Sequence, residues 1–374
     1  MSAVKLPKDK WLIFVIIAII LYTALFSCLS ILRYKSFYSY EWEDQATHHQ
    51  LVWNTAHGNW FYNSIGISGY YFSYHFQPII LFQAIFYRIW PHIYNFFFTI
   101  SFALALGALP LYLIARKIFG NSASAFIISF SCLLYNPLHN VNFCDGDPVI
   151  FVIPLFLFIL FILEKNSFCF NRHSLSAFLA CILLTLMCKE HIAFTTILLG
   201  IYLILRKKTK WGLICFICSF IWIILSMPVT LWLNHGQSLA RSIGYSSFQE
   251  LILLPFNRPA DFLYTFFSVS HLKYLFKIIM PLLFLPLFSA VTYVSVADFL
   301  LLLLGKGRVS YYQVYYIAPT IPFLFIGLVY AIKKISNLFS TKLKFKDSDS
   351  RMIVAMSLLV FFLKIKYKYL NIAR

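Results

Sequence analysis

The feature that most constrains this chain is the recurrence of apolar runs about as long as a bilayer is thick. Residues 11–32 contain no charged side chain, and similar runs follow at 93–115, 122–137, 148–164, 174–189, 191–205, 211–233, 274–292, 293–305 and 310–332, with a weaker one at 352–364. A helix needs about 20 apolar residues to cross the hydrocarbon. Inside lipid the backbone must satisfy its own hydrogen bonds, which leaves helices or closed barrels, and runs this long are helical. The expected fold class is therefore all-α, a polytopic transmembrane bundle of about ten or eleven helices. Residues 1–374 read as a single transmembrane domain. Composition agrees: 61% of residues are hydrophobic and 12% charged, where a soluble domain would carry about a quarter charged.

The net charge of +18 comes from 31 basic and 13 acidic residues. In a soluble chain that excess would point to nucleic acid. Here the basic residues sit in short clusters between apolar runs: Lys5, Lys8 and Lys10; Arg116 and Lys117; Lys165 and Arg172; Arg206, Lys207, Lys208 and Lys210; Lys333 and Lys334. Alternating the expected helices puts all five clusters on one side, which the positive-inside bias makes cytoplasmic. No nucleic-acid partner is expected; membrane lipids with anionic headgroups are. The first run is too long for a signal peptide's apolar region and lacks a small-x-small cleavage site, so it reads as an uncleaved helix with a cytoplasmic N-terminus. Cys215 and Cys218 form a CxxC in mid-run and read as small buried residues.

The opposite, outer side then holds a first loop at 33–92, a second large loop at 234–273, and shorter connections at 138–147, 189–191 and 306–308. The first loop carries two amphipathic stretches, 44–57 and 78–90, suited to lying in the interface. A polar segment at 336–351 reads as a cytoplasmic loop.

Acids and histidines sort to that outer side. Glu190 stands in Leu186-Met187-Cys188-Lys189-Glu190-His191 between two apolar runs. An ionisable residue there is costly and reads as functional, against a plainer role as the partner of Lys189. Asp145 and Asp147 flank Gly146. They can converge on a hard cation, or Asp147, before Pro148, can simply cap a helix. Asp44 opens the first amphipathic stretch, as a functional carboxylate or an N-cap. His75 precedes Pro78, where the plainer role is a hydrogen bond to a loop carbonyl. No histidine spacing indicates zinc. Among the few outward cations, Lys189, Arg241, Arg258 and Lys273 are candidates for a lipid phosphate.

Several motifs resemble a known family. Asp44, Gln50, Trp53, Asn54, His57 and Gly58 match the opening block of the DUF2079 membrane proteins, with Glu43 where that family has Phe. His75-Phe76-Gln77-Pro78 resembles its His-Phe-Ser-Pro, and Lys189-Glu190 its Lys-Glu. Asp147 and the Tyr315-Tyr316 segment stand where the family has histidine. That family is similar to the GT-C glycosyltransferases. The resemblance implies a GT-C-like enzyme in the bacterial inner membrane. It would move a sugar from a polyprenyl-phosphate donor to a lipid, glycan or protein acceptor on the outer side. In such enzymes an essential acid follows the first helix, the place Asp44 occupies. Asp44 is then the expected base, with Glu190 and Asp145 as further catalytic carboxylates. His75, Lys189, Arg241, Arg258, Lys273, Trp53, Asn54 and His57 are the expected substrate-binding residues. Asp44, Asp145 and Asp147 are the candidate ligands for a divalent cation, Mg or Mn. A transporter or lipid flippase, or a non-catalytic assembly protein, is the alternative.

Overall fold

The computed structural model of the protein describes residues 9–37, 42–64, 68–144, 146–165, 171–236, 244–305 and 314–343. These are helical, with no β-strand among them and one isolated bridge between Tyr62 and Tyr70. Among the described residues five helical segments are long and apolar enough to cross a membrane: Lys10–Lys35, Ile93–Phe119, Pro148–Lys165, Thr209–Leu233 and Tyr315–Leu338. Shorter apolar helices stand beside them.

Helix α1 (Lys10–Lys35) starts at Asp9, whose carboxylate accepts from the Trp11 N–H. It buries Val15, Ile19, Tyr22 and Phe26 against α4 (Ile93–Leu106) and α6 (Ser122–Leu133), while Ile20, Leu21 and Leu25 stay exposed. Apolar side chains left outside along a whole helix identify lipid as its solvent. α5 (Ala108–Phe119) ends at Gly120, whose φ of +65 suits the left-handed cap. α8 (Val152–Lys165), α9 (Arg172–Leu186), α10 (Ile192–Leu205) and α11 (Thr209–Leu233) complete the central bundle. α10 and α11 cross at Gly200 and Gly212, where an added Cβ on Gly212 would lie 2.6 Å from the Gly200 carbonyl. Small residues let such backbones approach in lipid.

The amphipathic stretches of the first loop form α2 (Trp42–Ala56) and α3 (Ile80–Ile89), joined through a 3₁₀ turn at Tyr71–Ser73. Arg88 ties them together by donating to the Ala56 carbonyl at 3.0 Å. The run expected at 122–137 stops at Leu133, and α7 (Asn136–Phe143) is separate. The second loop is helical too, in α12 (Phe248–Asn257), α13 (Pro259–Phe266) and the start of α14 (Val269–Ile279).

One expectation needs correction. The runs 274–292 and 293–305 are not two spanning helices. After α14 the chain makes 3₁₀ turns at Met280–Leu282, Leu285–Phe288 and Ala290–Ser295, then α15 (Val296–Leu304). Pro281 and Pro286 cannot donate to a helix ladder, and Leu283 and Phe284 take left-handed φ of 53 and 58. Thr292 and the Pro286 carbonyl lie against Gly327, near the middle of the Tyr315–Leu338 span. The segment enters to mid-bundle and turns back. α16 (Ile321–Leu343) runs on into the segment 336–351 expected as a cytoplasmic loop, and residues 344–351 lie outside the described residues. The weak run 352–364 and the 306–308 turn lie outside the described residues.

Candidate functional site

The site is built where the Met187–His191 turn meets the stretch His75–Ile79. Residues 75–77 stay outside the helix that follows, since Pro78 disfavours helix in the residue before it, and the Ile79 N–H donates to the Met187 carbonyl at 3.2 Å. The first three residues of the stretch engage two acids. The imidazole Nδ1 of His75 lies 2.9 Å from Glu190 Oε1, and the Phe76 N–H donates to Glu190 Oε2 at 3.1 Å. Gln77 Nε2 donates to Asp147 Oδ1 at 2.9 Å. Asp147 also caps the Pro148–Phe151 turn through the Val149 N–H at 2.8 Å, and its Oδ2 accepts from Lys189 Nζ at 2.6 Å. Lys189 and Asp147 are each 1% exposed. The Lys189 ammonium also lies over the rings of Tyr315 and Tyr316, at 4.9 and 5.4 Å.

These contacts set the charges. Burial alone would push the Asp147 carboxyl up, but Lys189, with His48 and His75 behind it, holds it well below the usual range. Burial would likewise lower Lys189, and Asp147 overrides it and raises it. Glu190 is desolvated, yet His75 brings it down to about 2. Burial, reinforced by Lys189, lowers the neighbouring His191 to about 4. Asp147 and Lys189 are thus a closed ion pair, Glu190 is an ionised partner of His75, and His191 is neutral near pH 7.

Asp44 completes the group. His48, one turn on in α2, has Nδ1 2.7 Å from the Asp44 carbonyl oxygen. A carbonyl only accepts, so Nδ1 carries the proton, and Nε2 of the neutral ring accepts from the Tyr71 hydroxyl at 3.0 Å. Tyr71 is buried, and its proton is held on by burial first, then by Asp147, Asp44 and Glu190. All three carboxylates therefore act on one phenol through their charge. Asp44 differs from the other two. It is half-buried, and among the described residues no side chain hydrogen-bonds its carboxylate.

Other expected residues take different places. Lys189 does not offer its ammonium to a ligand, because Asp147 and the two tyrosine rings enclose it. Trp53 and His57 are exposed and stack on each other at 4.2 Å. Asn54 is buried, and its Nδ2 donates to the Tyr62 carbonyl at 3.1 Å, which folds the loop back on α2. Arg258 and Lys273 are exposed on the helices of the second loop. Asp145 and Arg241 lie outside the described residues. His48, Tyr71, Gln77 and His191 were not expected. His48 and Gln77 lie inside, and His191 beside, separate motifs that resemble the family, while nothing in the sequence marks Tyr71. His48 and His49 point apart as helical spacing requires: His49 meets Tyr87 at 3.0 Å. Asp298 in α15 accepts from Thr195 at 2.6 Å and lies 4.0 Å from His191 Nε2.

A divalent cation does not fit at Asp147. Both of its oxygens already accept from a lysine, a glutamine and a backbone N–H, and the lysine's charge opposes a metal. Among the described residues no three His, Cys, Asp or Glu groups converge to hold one. Beside the polar site opens an apolar cavity of about 500 Å³, walled by Phe82 and Phe86 of α3, Phe98 and Phe102 of α4 and Phe158 of α8. Ile79 and Phe151 also line it, shortly after Gln77 and Asp147 in the chain.

Lipid-facing helices and a buried polar cluster at one end define a polytopic helical membrane protein with a candidate site. A family model described as "predicted membrane protein (DUF2079)" matches residues 33–372, and the chain belongs to that family. No curated protein matches it.

Proposed function

We propose that the protein is a membrane-embedded glycosyltransferase of the GT-C kind, using a polyprenyl-phosphate-linked sugar and an acceptor on the outer side of the membrane. The observation that carries this reading is the contrast among the three carboxylates. Glu190 and Asp147 are saturated by fixed partners, while Asp44, in the same cluster, keeps its carboxylate open. A general base needs an ionised oxygen within reach of an incoming hydroxyl. Asp44 takes the acceptor's proton as the acceptor oxygen bonds to the anomeric carbon. The bond from that carbon to the donor phosphate breaks, the polyprenyl phosphate leaves with the electron pair, and the configuration inverts. Glu190 and His75 hold the 75–79 stretch in place, and the apolar cavity beside it takes the isoprenoid chain. The enzyme belongs to the bacterial inner membrane, with the basic clusters in the cytoplasm.

The test is transfer from a polyprenyl-phosphate sugar in membranes carrying the full chain. Asp44→Asn is expected to lower the rate about 10²–10⁴-fold with an unchanged melting temperature. Full activity in that variant would sink the mechanism.

A second reading, a proton-coupled transporter or flippase, is favoured by the buried Asp298 beside His191, because an acid inside a membrane helix often marks an ion path. It predicts that Asp298→Asn abolishes function while Asp44→Asn leaves it intact.

A further inference from the structure

Four elements meet around a small pocket: the end of α1, the first turn of α2, α4 and the end of α7. Ser30, Tyr34, Gln45, Ile100 and Asn142 are in its wall. Its volume is about 20 Å³, above the roughly 10–15 Å³ that one water-sized group needs. Asn142 is 4% exposed, and neither its amide nitrogen nor its amide oxygen has a hydrogen-bond partner. A buried amide left this way lowers stability, which an apolar side chain of the same shape would not do. The unmet amide therefore points to a ligand. Gln45 and Ser30, both buried, add a second carboxamide and a hydroxyl, groups that donate and accept alike. Arg33 lines the pocket too, but it is engaged by the Phe143 carbonyl and ring and is not counted among the binding groups.

We propose that this pocket holds a sugar hydroxyl of a neutral glycolipid, which serves as the acceptor in the transfer described above. The Asn142 amide oxygen needs a donor, which an anion lacks, and its amide nitrogen needs an acceptor, which a cation lacks. A hydroxyl is both, and the volume admits one such group. Position favours a sugar over water. Gln45 follows Asp44 in the first turn of α2, so a ring that offers one hydroxyl to the Asp44 carboxylate has others to offer its neighbour. The hydroxyl in the pocket is not the one that reacts; it orients the ring. Leu25, Leu29 and Leu32 are exposed along the same helix that supplies Ser30, an apolar strip suited to acyl chains. The role as acceptor rests on the transferase reading, and the binding does not.

The experiment is native mass spectrometry of the full chain released from phosphatidylcholine nanodiscs that contain one probe. The probe is either a monohexosyl diacylglycerol or diacylglycerol, which has the same chains and a single hydroxyl. The hexosyl lipid is expected to be retained above diacylglycerol. Asn142→Leu and Gln45→Leu are each expected to lower its retention about tenfold, the effect of losing one hydrogen bond to the ligand. Gln45→Leu reads the same pocket from α2 if Asn142→Leu fails to fold. In phosphatidylcholine alone Asn142→Leu should melt no lower than the parent, because the unmet amide is gone. Equal retention of the two probes, or retention unchanged in both variants, would overturn the proposal. A lower melting temperature in Asn142→Leu with unchanged retention would do so as well, by making the amide a partner of resident water only. Transfer from a polyprenyl-phosphate hexose to the hexosyl lipid is measured in parallel. Retention contrast without transfer sinks the transferase reading and leaves the site; transfer without the contrast sinks the site and leaves the reading.

Discussion

The two ends of the bundle use charge in opposite ways. At one end, Asp9 pairs with Arg116 at 2.8 Å and accepts from the Tyr112 hydroxyl at 2.6 Å. Lys117 donates to the carbonyls of Glu164 and Lys165, Tyr330 to the Glu164 carboxylate, and Lys333 to the Ile118 carbonyl at 3.0 Å. These are ties between helix ends, with the Arg116 side chain 43% exposed. Basic groups there satisfy last-turn carbonyls and favour the helix dipole. At the other end, the charges belong to connecting segments far apart in sequence, and Lys189 and Asp147 are closed off from solvent. Charge at the first end fastens helices that lipid already holds together. Charge at the second end determines how the segments that form the site are arranged.

The largest effect that follows is at Lys189. Lys189→Met would leave Asp147 ionised and buried without its partner, and is expected to lose about 3–5 kcal/mol of stability. The double variant Lys189→Met, Asp147→Leu removes both charges and should recover most of that loss. Thermal melts in one detergent check both, and a single variant as stable as the parent would remove the distinction between the ends.

How legible this was in the sequence depends on which forces act. The helices could be read because lipid imposes length and apolarity on each span separately, as in 11–32 and 211–233. The hairpin after α14 could not, because Leu282 to Leu287 is as apolar as a span, and only Pro281, Pro286 and tertiary packing against Gly327 break it. Glu190 and His75 could be singled out as polar residues among apolar ones. That Lys189 pairs with Asp147 rather than with adjacent Glu190 could not, since adjacency suggested the local pair and the fold chose the distant one. Tyr71 matters only through what converges on it, and convergence of 44, 147 and 190 is a property of the bundle.

The next effect concerns pH. Glu190 is lowered in the folded state to about 2 from an ordinary value of 4.5. A depressed carboxylate contributes stability above its unfolded value and loses it as pH falls through the folded one. The contribution is therefore complete above about pH 5 and disappears between there and about pH 2, amounting to roughly 3 kcal/mol. Glu190→Gln should flatten that part of the stability profile measured by denaturation midpoints from pH 7 to pH 2. A variant that tracks the parent across the window would mean that His75 does not hold the carboxylate.

The smallest effect belongs to the opposite end. Arg116 faces solvent over much of its surface, so water and salt already screen its pair with Asp9, and such pairs contribute about 0–1 kcal/mol. Asp9 also keeps the Tyr112 hydroxyl and the Trp11 N–H when Arg116 is gone. Arg116→Gln is therefore expected to shift stability by less than about 1 kcal/mol, and by less still at high salt, where the Lys189→Met loss persists because its pair is buried. Melts of both variants at low and high ionic strength read the difference directly. A salt-insensitive loss at Arg116 as large as that at Lys189 would mean the two ends are built alike.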